Sequence, residues 1–394
     1  MACRGRSIRP ARAFVSFAAA LSCALLAACG GGGSGGVTPP MASAPSAAPT
    51  AAPAAVPNYA SNITTTAQWI ASVAQLSDGA IEDSSTQISP YFANRAAIGL
   101  AVAGGHTAQV QAWIAWYVAH LNATDVWGTS GTIYDYTVAN GVETSTATAD
   151  STDAYAGTFL SLALAFYQTN DSVAQHYIAS IRPQIAEVAG VLTSGQQPDG
   201  LTWALPTYQI KYLMDNCEVY QGLRDYATLL SALGDPADAA TFTARANASA
   251  AGIANELWNA TTGEYENALG AGGVATAVDW TNYQSGAAEL FPVLHGVVAP
   301  SSSQALAVYA RFNTAFGAWD ALQIPDEYPW ALVSTAAALM NDRTRANAYI
   351  AAVDAKYLAA GYPYPWYDAE GGWFVQSNAI LAGTASAAAH TRRS

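Results

Sequence analysis

The sequence predicts an all-α domain of six helical hairpins closed into a ring. Two observations carry this: apolar residues recur at helical spacing in about twelve blocks, and the blocks alternate in character. Trp69, Ile70, Val73 and Leu76 open the series. Tyr91–Val102, Val110–Leu121, Asp153–Tyr167, Val173–Leu192, Cys217–Leu233 and Ala237–Leu257 follow. Tyr283–Leu294, Gln304–Phe316, Tyr328–Met340, Arg345–Leu358 and Trp373–Leu381 complete it, with Gly, Asp, Asn and Pro between blocks. One set is amphipathic and charged, as at Arg182, Gln184 and Glu187. The other is apolar nearly all round, as in Ala96–Ala101, Leu160–Leu164 and Leu332–Ala336, and such helices must be buried. Gly131–Val138 alternates like a strand; with Glu143 and Thr144 as its return arm it predicts a small β-hairpin over the mouth of the ring. Long, unequal, aromatic loops favour a lined pocket over an open α-solenoid.

The ends read differently. Arg4, Arg6, Arg9 and Arg12 precede a short apolar stretch, Ala13–Leu26, and then Ala27-Ala28-Cys29. This looks like a bacterial lipoprotein signal: residues 1–28 are expected to be removed and Cys29 lipidated, and Gly30 after the cysteine leans towards the outer membrane. Residues 29–58, rich in Gly, Ser, Ala and Pro, form a tether. The domain spans 59–385, and 386–394 is a frayed tail. Without the leader arginines, 11 basic residues face 28 acidic ones, and Lys211 and Lys356 are the only lysines. That balance excludes nucleic acid and polyanions held in an open basic groove. Cys217 alone remains of the four cysteines in the mature domain, so no internal disulfide forms. No metal-ligand spacing, phosphate loop or dinucleotide fingerprint is present, so no cofactor or metal is expected.

The starts of the buried blocks share a composition of acids and aromatics. They include Tyr91 and Asn94; Asp150 and Asp153; Asp215 and Glu218; Trp280 and Gln284; Asp326 and Glu327; and Glu370, Trp373 and Gln376. Helix capping accounts for about half of these acids, Asp150 and Asp326 among them. It does not account for Asp153, Glu218 and Glu327 one turn further in, where a carboxylate is costly without a purpose. Trp127, Trp203, Tyr208, Tyr212 and the run Tyr362-Pro363-Tyr364-Pro365-Trp366-Tyr367 supply rings on which sugars stack. That run either packs over the barrel end or lines a cleft. Trp113 and Trp116 read as core.

The pattern resembles the (α/α)6 toroid of the six-hairpin glycosidase superfamily. Ala149–Ala156 is similar to the second inner-helix start of family 8 glycoside hydrolases, and Met214-Asp215-Asn216 to that of unsaturated glucuronyl hydrolases. The resemblance implies two carboxylates hydrolysing a glycosidic bond in a monomeric enzyme that meets the membrane only through its lipid. By it, Asp78, in the loop entering the first buried helix, is the general acid, with Glu82 and Asp83 nearby. Asp153 or Asp215 is the base. Glu218 shifts a neighbour's pKa or binds a hydroxyl; Asp135, Trp203, Trp280, Gln284, Glu327, Trp366 and Trp373 are sugar contacts. The Glu-Gly-x-Gly-Tyr motif of family 8 is absent, with Asp78-Gly79 in its place. Lys211 pairs with Asp215, meets a substrate carboxylate, or forms a rim salt bridge. The alternatives are a glycan-binding lipoprotein without catalysis and a polysaccharide lyase using Arg95 and Tyr91. Histidine-based epimerases are disfavoured, because none of His106, His120, His176, His295 and His390 opens a buried block.

Overall fold

The computed structural model describes residues 56–83 and 86–384. The leader, Cys29, most of the tether and the tail lie outside the described residues. Residues from Pro57 onward form one compact unit.

Six hairpins follow one another, each an outer helix leading to an inner one. The first pairs α1 (Tyr59–Trp69) with α2 (Pro90–Ala103), and the second α3 (Thr107–Ala119) with α4 (Thr152–Tyr167). The third has α5 (Ser172–Ser180) and α6 (Arg182–Gly195) outside α7 (Leu213–Ala232). The fourth has α8 (Pro236–Gly252) outside α9 (Tyr283–Ala288) and α10 (Phe291–Leu294). The last two pair α11 (Ser303–Ala315) with α12 (Ala331–Leu339), and α13 (Arg343–Val353) with α14 (Asp368–Ala382). The inner helices touch in the order α2, α4, α7, α10, α12, α14, and α14 returns to α2, which closes the ring.

Composition explains the layering. In α4, α12 and α14 nearly every residue is buried, as the all-round apolar pattern requires. Neighbouring inner helices approach closely at glycines. A Cβ on Gly222 of α7 would lie 2.5 Å from the Gly157 carbonyl of α4, and one on Gly372 of α14 would lie 2.2 Å from the Arg95 carbonyl of α2. Outer helices α1, α5, α8, α11 and α13 carry side-chain N-caps: Asn58, Asp171, Asp235, Ser302 and Asp342. Inner helices α2, α4, α7, α12 and α14 have no such cap from their own N-cap residue. Their first amides are met by other groups, as Glu370 meets those of Trp330 and Ala331 at the start of α12.

The sequence blocks are reproduced with changes at several ends: α7 and α14 start earlier than expected, at Leu213 and Asp368. Pro183 splits Val173–Leu192 into α5 and α6, since it cannot donate to the preceding turn. Pro292 opens α10, leaving the fourth inner position as two short helices. The fifth inner helix begins at Ala331 rather than Tyr328, because Trp330 takes a left-handed conformation (φ 56°). The expected β-hairpin is present as β2 (Tyr136–Ala139) and β3 (Val142–Ser145), with β1 (Gln87–Ile88) on its edge. A second small sheet was not foreseen: β4 (Lys211–Tyr212), β5 (Trp258–Asn259), β6 (Glu264–Leu269) and β7 (Ala275–Ala277), in the order β4-β6-β5 with β7 on β6. Its strands are short and polar, which hides them from a periodicity argument.

Candidate active site

The inner-helix N-termini meet around a cluster of carboxylates. The first two turns of α2 reach across to α7: Tyr91 Oη donates to Glu218 Oε1 at 2.7 Å, and Arg95 Nη2 reaches the same oxygen at 2.7 Å. Both ends of this ion pair are sealed, with Arg95 3% and Glu218 1% exposed. The Arg95 guanidinium lies over the Trp373 ring of α14, 4.8 Å from its centroid. Burial pushes the Glu218 carboxyl up, and Arg95 opposes the shift. Glu218 Oε2 has no hydrogen-bond partner.

Asp153 and Asp215 stand beside this pair, in the first turns of α4 and α7. Asp153 is buried; its Oδ2 accepts from Thr202 Oγ1 at 2.6 Å and its Oδ1 from the Ala154 amide at 2.9 Å. Thr202 is itself fixed, its amide donating to Asn216 Oδ1 at 2.7 Å. Burial pushes Asp153 up to about 7. Asp215 is enclosed by protein but not fully buried, and no other described residue donates to its carboxylate. Its carboxyl is held well above the usual range, first by burial and then by the charges of Asp153, Glu218 and Asp150. A charge on Asp153 thus disfavours ionisation of Asp215.

Asp368 opens α14, opposite α7 in the ring. Its Oδ1 accepts from the Ala369 amide at 2.8 Å, while Oδ2 is buried without a partner. Burial and the nearby Asp83 charge raise it well above its ordinary value. Asp135, half-buried just before β2, accepts from Tyr155 Oη at 2.7 Å and is pushed up to about 7 by burial. Tyr91, Tyr155, Phe92, Tyr367 and Tyr328 form a continuous aromatic wall between these acids.

Several expected site residues lie elsewhere. Asp78 is exposed, and it belongs to a turn that occurs twice. Gln75-Leu76-Ser77-Asp78-Gly79 and Gln196-Gln197-Pro198-Asp199-Gly200 each follow an outer helix. In each, Asp Oδ1 accepts from the amide two residues on, at 3.2 and 3.1 Å, and the Gln amide spans the turn to the Gly carbonyl at 3.0 Å. Each Gly has positive φ, and its missing Cβ makes room for a carbonyl of a neighbouring outer helix, Ala112 or Ala248. Asp78 is therefore a turn residue; the repeated Gln-x-x-Asp-Gly was the sequence signal for this. Lys211 pairs with Asp199 of the second copy, the rim salt bridge among the options above. Glu82 follows the first turn, half-buried, its amide on the Ala74 carbonyl.

Asn94 is a core strut, donating to Thr158 Oγ1 at 3.0 Å and accepting from Trp113 Nε1 at 3.0 Å. Trp366 is fully buried against Tyr357, Tyr362 and Phe374, whereas Tyr367 joins the aromatic wall, so the Pro-Tyr run serves both purposes foreseen for it. Trp280 is engaged by Glu264 at 2.8 Å and by Arg311. Glu327 sits on an exposed loop, not on an inner helix. Gln284 lies half-buried in α9 and Trp203 half-buried next to Thr202. Trp373 is buried beneath Arg95. Asp150 caps no helix: Ser151 holds the N-cap position of α4. Asp326 accepts from the Tyr328 amide at 2.9 Å, in a turn ahead of α12. Glu370 caps α12 from the neighbouring helix, accepting from the Trp330 and Ala331 amides at 3.0 and 2.5 Å. Thr202 and Asp368 were missed, since a loop threonine and an acid outside an expected helix give no periodic signal. Among the described residues no group of three His, Cys, Asp or Glu is placed to hold a metal ion.

Solved structures share this architecture. A glycosidase variant in complex with glucose is 12% identical, with a TM-score of 0.60 over 82% of this chain and 97% of its own. A family 63 mannosylglycerate hydrolase from Thermus thermophilus, also with glucose, is 13% identical, with a TM-score of 0.54 over 82% of this chain and 99% of its own. A family 78 rhamnosidase from a Bacillus species is 12% identical, with a TM-score of 0.51 over 83% of this chain and 34% of its own. The fold is glycosidase-like. No protein-family model and no curated protein matches the sequence.

Proposed function

We propose that the chain is a glycoside hydrolase of the six-hairpin superfamily, acting on a cell-envelope or extracellular saccharide and anchored through lipid on Cys29. One observation carries the reading: Asp215, not fully buried and without a hydrogen-bond donor from another residue, is kept protonated by burial and by Asp153 and Glu218. A carboxyl protonated near neutral pH is what protonation of a glycosidic oxygen requires. Asp153, engaged by Thr202 and Ala154, is the neighbour that keeps that proton in place. Across the ring, Asp368 and Asp83 form a second acid pair, and the ionised member takes a proton from water as it attacks the anomeric carbon. A donor on α7 facing an acid pair at the start of α14 leaves space for sugar and water together, as in inverting hydrolases, whose carboxyls stand ~6.5–9.5 Å apart. Arg95 is neutralised by Glu218, which leaves it poorly suited to the charge-neutralising role a lyase needs.

The test is hydrolysis of a panel of neutral, amino- and uronic-acid oligosaccharides by the wild type and by Asp215→Asn and Asp368→Asn. Loss of about 10³-fold or more in kcat in each variant, with the fold intact by circular dichroism and the product released with inverted anomeric configuration, supports the reading. Full turnover in both variants overturns the assignment. Glycan binding without turnover in the wild type supports the binding-protein alternative. Fatty-acid labelling that Cys29→Ser abolishes tests the anchor.

A further inference from the structure

We propose that the substrate is a saccharide chain of several residues, laid along a row of aromatic rings that flanks the acids and cut at an internal bond. The inference rests on the hydrolase reading and names its substrate class. Ring contacts are the starting point. Tyr364 meets Tyr328 with 6.3 Å between ring centroids, and Tyr328 meets Tyr367 at 5.4 Å. Tyr367 meets Phe92 at 5.0 Å, and Phe92 meets Tyr91 at 5.2 Å. The row then reaches α7, where Glu218 accepts from the Tyr91 hydroxyl at 2.7 Å, one helical turn beyond Asp215.

On α7 the row resumes. Tyr212 holds the N-cap position, just before the turn that carries Asp215, and its hydroxyl lies 3.1 Å from that of Tyr208. Tyr367 has the matching place on α14, immediately before Asp368. Each helix that carries a proposed catalytic acid thus has a tyrosine at its entry and a further tyrosine outside it. The outer two are open: Tyr364 is 56% and Tyr208 40% exposed, and among the described residues no other aromatic is as exposed.

Both outer tyrosines sit on loops fixed by their neighbours. Tyr362 stacks on Trp69 at 5.0 Å and Trp366 is fully buried, so the segment is rooted on either side of Tyr364. The Tyr208 loop is tied to α4 and folded back on itself. The Thr152 amide donates to the Ala204 carbonyl at 2.7 Å, and the Ala204 amide to the Ile210 carbonyl at 2.9 Å. Packing alone would close such rings in, as it does Trp366. The rings between the outer pair stay half-buried instead. A ring held firmly and left partly wet offers its surface to the apolar face of a sugar and its hydroxyl to the sugar's edge. With exposed rings at both ends, the row lets a chain run on past the acids in either direction, whereas cutting from a terminus needs a closed end.

The experiment follows cleavage of end-labelled trimers and hexamers by the full chain. The probes are β-1,4- and β-1,3-linked glucose, β-1,4-linked N-acetylglucosamine and α-1,4-linked galacturonate. In the series that is cut, kcat/KM is expected to be about tenfold or more higher for the hexamer than for the trimer, because remote binding is spent on the reacting bond. The first products are expected to come from internal bonds. Tyr364→Ala and Tyr208→Ala are each expected to remove most of that length advantage, a selective loss that a merely structural role would not give. Equal kcat/KM on trimer and hexamer, release of single sugars from one end, or an undiminished advantage in either variant overturns the proposal and leaves the hydrolase reading standing. If no probe is cut, calorimetry with the hexamers decides. Binding that both variants weaken supports the row as a chain-binding surface and overturns the hydrolase reading. Absence of binding, or binding that neither variant weakens, overturns the row.

Discussion

Thr202 gives its hydroxyl proton to Asp153 across a gap of 2.6 Å, from a turn 49 residues further along the chain. That bond favours the ionised form of Asp153; on the proposed reading it thereby leaves the catalytic proton on Asp215. Thr202→Val keeps the side-chain volume and removes the donor. A hydrogen bond to a charged group contributes about 1.5–3 kcal/mol. The variant is therefore expected to lose about tenfold or more in kcat with KM little changed. The alkaline limb of its pH–rate profile should move upward, because the doubly ionised pair is destabilised. An unchanged profile removes Thr202 from any positioning role.

Stability should fall as pH rises through neutrality. Burial lifts Asp135, Asp153 and Glu370 to about 7 and Glu289 to about 8. A carboxyl whose folded pKa exceeds its unfolded value makes its full contribution below about pH 4 and loses it as pH passes the folded value. Asp171 and Asp279, held low by Thr107 and Thr281, act in the opposite sense, but only at more acidic pH. Thermal unfolding should give a Tm several degrees higher at about pH 5 than at about pH 8.5. A Tm that is flat or rises over that range contradicts the burial of these acids.

The inner seams should reject a single added methyl. Alanine improves helix propensity over glycine by ~1 kcal/mol, but an overpacked interface costs ~1–3 kcal/mol, and more where the obstacle is backbone. At Gly222 and Gly372 the obstacle is a main-chain carbonyl, so clash outweighs propensity and alanine destabilises. At Gly190 of α6 nothing lies within 4 Å, so alanine there should stabilise by ~0.5–1 kcal/mol. Urea unfolding of the three variants reads both signs.

Arg95 and Glu218 should depend on one another. Removing one partner of a buried pair costs ~3–5 kcal/mol because the other is left charged and dry. Arg95→Met is expected to destabilise in that range at pH 8 and by less at pH 5, where Glu218 can take a proton. Adding Glu218→Met should recover most of the loss. A double variant as unstable as the sum of the two single variants would show that their charges are not coupled.

The ring was legible because its physics is repetitive. Apolar residues around every side of Leu160–Leu164 and Leu332–Ala336 have no stable place outside an interior, and alternation with charged helices sets the layers. Asp153 and Glu218 were visible as acids that capping does not use, and so was Glu327, which lies instead on an exposed loop; Asp215 was reached through the resemblance and Asp135 through the hairpin. Asp78 misled because a turn aspartate and a catalytic one look alike locally; comparison with Gln196–Gly200 separates them. Trp280 and Trp366 misled because an indole suits a core as well as a sugar face. Asp368 was hidden by a helix start placed too late, and Glu370 by a capping bond made across to another helix.

The contact of α14 with α2 joins elements near opposite ends of the folded unit. Until that last helix arrives, the nascent polypeptide is an open crescent, with the oily flank of α2 wetted and Arg95 hydrated. Assembly is thus deferred to the end of synthesis, and a chaperone that shields the unfinished rim would have its longest engagement at that edge.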